Sequence, residues 1–153
     1  MSSITVRQAV LNDLDELTPL FDAYRQFYGQ QSDVMAASVF LLSRFVGGES
    51  TLFIAHDGAT AIGFTQLYPS FSSVSMARIF ILNDLFVLPA QRNKGAASEL
   101  MAAATAYGKS VGAKSLCLST AVTNTAAQSL YQASGWKRDD EFFVYELPLT
   151  AEK

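Results

Sequence analysis

The sequence predicts a single domain of the α/β class that spans residues 1–153. Its length fits one domain with a core of its own, and 50% hydrophobic with 16% charged residues is a globular composition. Segments with strand-like alternation and segments with helical spacing follow one another along the chain. No repeat, linker or low-complexity segment interrupts them, so the whole chain is assigned to one fold.

The N-terminal third predicts one strand and two helices. Residues 4–10 alternate apolar and polar side chains, which is typical of a half-buried strand. Residues 14–28 place apolar side chains three and four positions apart, so one face of a helix would point to the core. Asn12 or Asp13 is expected to cap this helix. A second helix is expected over residues 32–45, beginning at a Ser32 cap and stopped by Gly47-Gly48.

The rest of the chain predicts five strands and two helices. In chain order these are a hairpin at 51–68, a loop at 69–73, a strand at 77–88, a helix at 93–111, a strand at 115–122, a helix at 124–134 and a strand at 142–147. Asp57-Gly58 is a turn dipeptide between the two strands of the hairpin. The strands at 77–88 and 115–122 are strongly apolar, which predicts that both are buried.

Composition excludes several classes of function. No apolar run approaches the roughly 20 residues that cross a bilayer, and the N-terminus has no apolar signal core, so we expect a cytoplasmic protein. A single cysteine, Cys117, excludes an internal disulfide framework and a cysteine-based zinc cluster, and its apolar strand predicts a core position. A single histidine, His56, excludes a multi-histidine metal site and a Ser-His-Asp triad, and no metal is predicted.

The distribution of charge bears on the partners. A net charge of -3 argues against nucleic acid, because a phosphate backbone requires a basic face. Acidic residues outnumber basic ones by seven to three in residues 1–60, whereas residues 61–153 are nearly balanced. Two interpretations stay open, namely a solvated acidic surface and an N-terminal half suited to a cationic substrate.

Residues 87–98 run from an apolar strand through a proline-broken loop directly into a helix, which is the layout of an anion-binding site. Gly95 would let a ligand approach the backbone closely, and the first free N–H groups of the helix would point at it. Arg92 and Lys94 add two cations, and the first helical turn carries only small side chains. The alternative is an ordinary strand-to-helix loop. The loop has neither the Walker pattern nor the dinucleotide-binding pattern.

Two further polar features stand in the same half of the chain. Asn124 and Tyr131 are seven residues apart and so share a helix face. Taken alone, Asn124 could be a helix cap and Tyr131 a core tyrosine. Asn83-Asp84 is a polar pair inside an apolar strand, where a buried carboxylate is costly unless it is paired or used. The alternatives for this pair are a salt bridge with Arg78 and a bulge that turns it to solvent.

The segment 82–136 resembles the Gcn5-related N-acetyltransferase (GNAT) superfamily in two motifs. The pattern V-x-P followed by R/Q-x-x-G-x-G/A is present as Val87-Leu88-Pro89 and Arg92-Asn93-Lys94-Gly95-Ala96-Ala97. Further along, the pattern N-x-x-A-x-x-L-Y-x-x-x-G-F/W is present from Asn124 to Trp136. The order of predicted elements fits the family over the whole chain. The strand at 83–87 and the aromatic first helix are also similar to the histone and polyamine acetyltransferase branch.

The resemblance implies a mixed, mostly antiparallel central sheet that is flanked by helices and split between the strands at 77–88 and 115–122. It implies transfer of an acetyl group from acetyl-CoA to an amine by direct attack. The backbone of Leu85, Phe86 and Val87 would bind the pantetheine arm and polarise the acetyl carbonyl. The other implied cofactor-binding residues are Arg92, Asn93, Lys94, Gly95, Ala96, Ala97 and Ser98 at the pyrophosphate, and Asn124.

The resemblance also implies catalytic roles. Tyr131 would protonate the departing CoA thiolate. Some family members carry a glutamate on the strand after the long helix, where Ser119 and Thr120 stand in this chain. Asp84 is therefore the candidate base, directly or through a water, and the alternative is an amine that enters already neutral.

The predicted acceptor-binding residues are Tyr24, Tyr28 and Ser72, on the first helix and in the loop at 69–73. Their aromatic, faintly acidic character suits a small cation, although the same residues could belong to the core. The predicted function is N-acetylation of a small cationic amine by an enzyme that assembles as a homodimer. The alternatives are a protein lysine or N-terminal acetyltransferase and a non-catalytic CoA-binding module.

Overall fold

The structure, a computed structural model, describes residues 3–150 and has the predicted α/β class. Its strands are β1 (Ile4–Gln8), β2 (Thr51–Asp57), β3 (Thr60–Ser72), β4 (Ala77–Val87) and β5 (Ser115–Cys117). Its α-helices are α1 (Leu14–Phe27), α2 (Val34–Gly47), α3 (Ala96–Ser110) and α4 (Thr125–Ala133). The chain divides into two compact units after Ser119, and the second unit carries α4. None of the helices within residues 3–150 is long and apolar enough to cross a bilayer.

The five strands form one mixed sheet in the order β1-β2-β3-β4-β5, and this confirms the predicted sheet type. Neighbouring strands are antiparallel except β4 and β5, which are parallel. The pairing of β4 with β5 covers only Ile79–Ile81 and Ser115–Cys117, whereas β4 continues beside β3 to Val87. In the described part of the chain, the outer edge of β4 from residue 82 to residue 87 therefore has no partner strand.

The main core lies between α1, α2 and one face of the sheet. Its innermost side chains, each at most 1% exposed, are Leu17, Leu41, Leu52, Ile54 and Phe64. Helix α3 covers the opposite face. Phe53 points away from the side chains of its neighbours along β2 and packs against Tyr107 of α3, with ring centroids 5.8 Å apart. Both faces of the sheet are thus covered by helices.

Helix α2 begins at a different cap from the one predicted. The carboxylate of Asp33 accepts a hydrogen bond from the Ala36 N–H at 3.0 Å and caps the helix. The hydroxyl of Ser32, the predicted first residue, donates to the buried carboxylate of Asp22 at 2.7 Å. The helix ends as expected at a glycine pair, where Gly48 adopts a left-handed conformation with φ of 63°.

The predicted loop at 69–73 is wrong, because β3 continues through Ser72 in antiparallel pairing with β4. A turn at residues 73–76 joins the two strands. Pro69 is tolerated because the pairing of β2 with β3 ends opposite Leu67. Beyond that point one edge of β3 is free, and a proline there removes no hydrogen bond from the sheet.

Two predicted strands differ from the structure. Strand β5 covers only the first three residues of the predicted strand at 115–122, and residues 142–147 form neither strand nor helix. The alternating side chains at 142–147 are exposed, and no neighbouring strand within residues 3–150 pairs with them.

The predicted core position of Cys117 is also wrong, because β5 is an edge strand and the thiol is exposed. Its remaining burial raises its pKa, which does not favour a nucleophilic thiolate.

Gly63 marks a close approach between β3 and β4. A Cβ atom at this position would lie 2.6 Å from the Phe86 carbonyl oxygen and 3.2 Å from Val87 Cγ2. We expect Gly63→Ala to lower the free energy of unfolding by about 1–3 kcal/mol, as overpacked cores do, measured by urea denaturation. Gly108→Ala is the matched control, since its Cβ would lie 3.4 Å from Leu116 and alanine favours the helix. An equal loss of stability in both variants would contradict the close approach.

Candidate active site

A cavity of about 520 Å³ opens between α1, α2 and the strands β3 and β4. Its aromatic walls are Phe21, Tyr24, Tyr28, Phe40 and Tyr68. Its polar lining includes Arg25, Asn83 and Asp84. The predicted acceptor residues on α1 and the candidate base on β4, which are distant in sequence, thus line one cavity.

A β-bulge positions Asp84. Gln66 of β3 lies opposite Asp84, but the next residue, Leu67, lies opposite Leu82, so Asn83 is the extra residue on β4. The Thr65 hydroxyl donates to the Asp84 carbonyl oxygen at 2.7 Å and ties the bulge to β3. The Asp84 side chain is buried at 2% exposure, whereas Asn83 is exposed. The bulge therefore turns Asn83, and not the carboxylate, towards solvent.

The Asp84 carboxylate is held by neutral donors. Gln66 Nε2 donates to Oδ2 at 2.5 Å, and Asn83 Nδ2 donates to Oδ1 at 2.9 Å. The nearby Tyr24 hydroxyl also favours the ionised form. The predicted alternative, a salt bridge with Arg78, does not form, because that guanidinium lies over the Phe71 ring at 4.3 Å. Burial raises the pKa of Asp84, and these hydrogen bonds oppose the rise without cancelling it.

The tyrosines around Asp84 stay protonated. Burial raises the pKa of Tyr24, and the negative charge of Asp84 raises it further. The same two causes raise the pKa of Tyr68 to about 12. The Tyr24 hydroxyl donates to the Asn83 carbonyl oxygen at 3.3 Å. These phenols therefore act as hydrogen-bond donors and not as bases at neutral pH.

The other predicted acceptor residues differ in position. Tyr28 is 59% exposed at the cavity rim. Its ring packs edge-on against that of Tyr24, with ring centroids 5.1 Å apart. Ser72 does not line the cavity. It lies at the end of β3, where its hydroxyl accepts a hydrogen bond from the Ser75 N–H at 3.2 Å. The role of Ser72 in acceptor binding stays a prediction without a contact to support it.

The N-terminus of α3 is open, as the sequence predicts for an anion site. Gly95 adopts a left-handed conformation with φ of 89°, and a Cβ atom there would meet nothing within 4 Å. No side chain caps the helix, and its first backbone bond runs from the Glu99 N–H to the Gly95 carbonyl oxygen at 3.1 Å. The N–H groups of residues 96–98 therefore have no intrahelical partner and can bind an anion.

The two cations of this loop are partly engaged elsewhere. Arg92 Nε donates to the Val87 carbonyl oxygen at 2.9 Å, and its guanidinium lies over the Phe27 ring at 5.3 Å. Lys94 Nζ donates to Gln91 Oε1 at 2.9 Å. Both side chains are exposed, so the loop stays positive towards solvent.

The open edge of β4 carries the predicted pantetheine contacts. The Leu88 N–H donates to the Ile62 carbonyl oxygen, so the backbone of Leu88 faces β3. Because strand backbones alternate, Phe86 faces β3 as well, and Leu85 and Val87 face the open edge. Of the three predicted residues, the backbone groups of Leu85 and Val87 are thus the ones directed away from the sheet.

The second unit holds the other predicted site residues. The Asn124 side chain caps α4 by accepting a hydrogen bond from the Ala127 N–H at 3.2 Å, as its alternative interpretation expected. Tyr131 lies two turns later on α4, half-buried, with its ring 6.2 Å from that of Trp136. Asn124 and Tyr131 thus lie at the predicted spacing on one helix.

A family model described as the Acetyltransferase (GNAT) family matches residues 14–136. The chain belongs to this family. It is 48% identical over 148 residues to an uncharacterized N-acetyltransferase, YhfO, of Bacillus subtilis (strain 168), covering 97% of the chain and 99% of that protein. It is also 29% identical over 96 residues to aminoglycoside N(6')-acetyltransferase type 1 of Salmonella typhimurium, covering 61% of the chain and 66% of that protein.

Solved structures agree with this membership. A crystal structure of a probable acetyltransferase matches with a TM-score of 0.90 at 39% identity, covering 97% of the chain and 99% of that structure. The aminoglycoside N-acetyltransferase AAC(6')-Iy in complex with CoA matches with a TM-score of 0.78 at 23% identity, covering 94% of each chain, and this likeness concerns the fold alone. The predicted GNAT fold and enzyme class, an acetyl-CoA-dependent N-acetyltransferase, are confirmed.

Sequence reasoning did not find several residues of the site. Gln66, fully buried and hydrogen-bonded to Asp84, is a polar residue in an apolar strand, which is the same signal that singled out Asp84. Tyr68 and Phe40 are aromatic residues with nothing in their local pattern to separate them from the core. Arg25 lies on the same helix as Tyr24 and Tyr28, and its place in the cavity depends on the packing of α1 against α2.

Proposed function

We propose that this acetyltransferase moves an acetyl group from acetyl-CoA to a small primary amine whose amino group binds in the cavity as an ammonium ion. The observation that carries the proposal is Asp84, a buried carboxylate at 2% exposure that opens into an aromatic cavity. A protonated amine suits this position, because aromatic faces and a carboxylate both attract a cation. The homology to an aminoglycoside N-acetyltransferase supports an amine as the acceptor.

The proposed reaction uses Asp84 as the general base. Asp84 accepts one proton from the bound ammonium group, and the freed amine nitrogen attacks the acetyl carbonyl carbon. A C–N bond forms, the nitrogen loses its second proton to solvent, and the C–S bond breaks to release the CoA thiolate. Tyr131 protonates the thiolate and regains a proton from solvent, and Asp84 releases its proton to solvent, so the net products are the amide, CoA and one proton. The raised pKa of Asp84 supports this role, because a stronger base removes a proton from an amine more readily.

The donor site is proposed at the open edge of β4 and the N-terminus of α3. The fit is supported by the uncapped helix and by the open space around Gly95, which leaves room for a pyrophosphate against the backbone. The backbone of Leu85 and Val87 would bind the pantetheine arm. Asn124 would contact the cofactor with the amide hydrogens that its capping oxygen leaves available.

Thiol release from acetyl-CoA tests the proposal directly. We expect turnover with at least one small amine in a panel of polyamines, amino acids, aminoglycosides and lysine peptides. Turnover with peptides alone would favour a protein lysine or N-terminal acetyltransferase. Tight CoA binding without turnover on any amine would favour a non-catalytic CoA-binding module.

Tyr131→Phe is expected to lower kcat by about 10–10³-fold, because it removes a proton donor and keeps the ring. The effect is smaller than for many general acids, since a thiolate is a good leaving group. Affinity for acetyl-CoA should stay within a few-fold of the parent chain in calorimetric titration. Tyr107→Phe is the control, because its hydroxyl accepts a hydrogen bond from Thr51 outside the proposed site. Full turnover in Tyr131→Phe would mean that Tyr131 is not the proton donor and serves only to pack against Trp136.

The proposal includes two properties of the whole molecule. We propose a homodimer, which light scattering after size-exclusion chromatography would test against a monomer of 16.6 kDa. We also propose a cytoplasmic location, which fractionation of cells expressing the natural protein would test.

A further inference from the structure

The cavity contains two opposite charges. Among its lining residues within the described chain, Asp84 is the carboxylate and Arg25 is the guanidinium, and the remainder are aromatic, small or neutral. An acceptor with several ammonium groups would place its other cations in a cavity with no second carboxylate and beside an arginine. The electrostatics of the lining therefore do not favour an oligocation.

The guanidinium of Arg25 has no hydrogen bond or ion pair in the described part of the chain. The nearest acid along α1, Asp22, attracts it electrostatically. The oxygens of that carboxylate already accept hydrogen bonds from Ser32 at 2.7 Å, the Asp33 N–H at 2.8 Å and Gln26 at 3.1 Å. Arg25 is half-buried, so its position is restrained while its N–H donors stay available to a ligand.

Two residues of α1, Tyr24 and Arg25, and its C-cap residue Tyr28 present the elements of one binding surface. Tyr24 and Tyr28 are four residues apart, and Arg25 precedes Tyr28 by three, so all three lie on adjacent parts of one helical face. Tyr24 and Asp84 both line the cavity, and Arg25 lines it one position further along the helix. A ligand with its amine at Asp84 would thus place its body against the tyrosines. A second polar group of that ligand would interact electrostatically with the Arg25 guanidinium.

We propose that the acceptor is an amino carboxylate and that Arg25 binds its carboxylate. The inference rests on the proposed function, because it places the attacking amine at Asp84. A single guanidinium matches a single carboxylate and can bind it through two parallel hydrogen bonds. The five aromatic rings suit an apolar or aromatic part of the acceptor, whether it joins the two charged groups or extends from them. The class is therefore a zwitterion, such as an apolar amino acid, and not an oligoamine.

Matched acceptors test this assignment through kcat/KM for thiol release. One series is phenylalanine, phenylalaninamide and phenethylamine, and the other is γ-aminobutyrate, its amide and putrescine. In at least one series, we expect kcat/KM for the acceptor with a carboxylate to exceed kcat/KM for the other two acceptors by about tenfold or more. A charge-assisted hydrogen bond contributes about 1.5–3 kcal/mol, which corresponds to this range. Equal or higher kcat/KM for the acceptors without a carboxylate, in both series, would overturn the proposal.

Two variants test whether Arg25 binds the acceptor carboxylate or affects all acceptors through its charge. Arg25→Gln should lower kcat/KM for the preferred amino carboxylate by about 10–100-fold and change kcat/KM for its amide less than threefold, and Arg25→Lys should restore part of the loss. Arg44→Gln is the control for charge near the cavity, because Arg44 pairs with Glu49 and lies over the Phe40 ring without lining the cavity itself. An equal loss in Arg25→Gln for acceptors with and without a carboxylate would overturn the role of Arg25.

A direct binding measurement distinguishes the two proposals. If no amine supports turnover, the proposed function fails, but calorimetry with phenylalanine and γ-aminobutyrate still reports on the cavity. Binding that exceeds that of the amides and is lost in Arg25→Gln would support the amino carboxylate site by itself. No preference for the carboxylates in this titration would overturn it.

Discussion

Asp84→Asn is expected to lower kcat/KM by about 10²–10⁴-fold near neutral pH, the usual range for loss of a general base. The substitution keeps the shape of the side chain and removes its capacity to take a proton. Its partners Gln66 and Asn83 can both still hydrogen-bond to an amide, because one keeps donating to the remaining oxygen and the other rotates its own amide group to accept. Steady-state thiol release with the best acceptor measures the effect, and thermal unfolding checks that the variant folds.

Asp13→Asn is the matched control for this substitution. Asp13 is also a buried carboxylate, at 6% exposure, but it is paired with Arg7 at 2.7 Å and does not line the cavity. The Arg7 guanidinium holds the pKa of Asp13 below its usual range. Asp13→Asn should therefore lose stability and keep turnover. Equal kcat/KM losses in both variants would mean that the Asp84 effect is structural.

Gly95→Glu is expected to weaken acetyl-CoA binding by roughly a hundredfold or more. The new side chain would occupy the space left open at the N-terminus of α3 and bring a negative charge to the place of the pyrophosphate. Hydrogen bonds to charged groups contribute about 1.5–3 kcal/mol each, so the loss of one or two has this magnitude. Calorimetric titration with acetyl-CoA measures the effect.

Gly112→Glu controls for strain and charge. Gly112 follows the other end of α3, also with a left-handed backbone at φ of 74° and open space around its Cβ position. Its substitution by glutamate therefore has a similar conformational cost and the same change of net charge. Acetyl-CoA affinity should stay within a few-fold of the parent chain. Unchanged acetyl-CoA affinity in Gly95→Glu would mean that Gly95 is needed only for the turn and does not contribute to the pyrophosphate site.

Local patterns predicted the helices and most strands, because these depend on side chains close in sequence. The spacing of apolar residues in 14–28 and the glycines after each helix carry that information. The ends of strands depend on their neighbours instead. Residues 69–72 extend β3 because β4 lies opposite, whereas residues 142–147 are not paired in the sheet and form no strand.

The same distinction applies to the site. Asp84 and Gly95 could be predicted because a carboxylate in an apolar strand and a glycine before a helix are local signals. The place of Gln66 in the site could be identified only from the register of β3 against β4, because its hydrogen bond with Asp84 joins residues of two strands. Arg25 had no local signal, because its place in the cavity depends on the packing of α1 against α2.

The pH dependence of kcat/KM in the parent chain and in Asp84→Asn tests the central claim most directly. An ionised Asp84 is required for proton removal, so the parent profile should rise through an acid limb above the ordinary aspartate pKa of about 4, because burial raises that pKa, and then reach a plateau. Asp84→Asn should lack this limb. Its rate should instead rise about tenfold per pH unit with the fraction of neutral amine, so that the deficit shrinks as pH increases. Parallel profiles for the two proteins would contradict the assignment of Asp84 as the base.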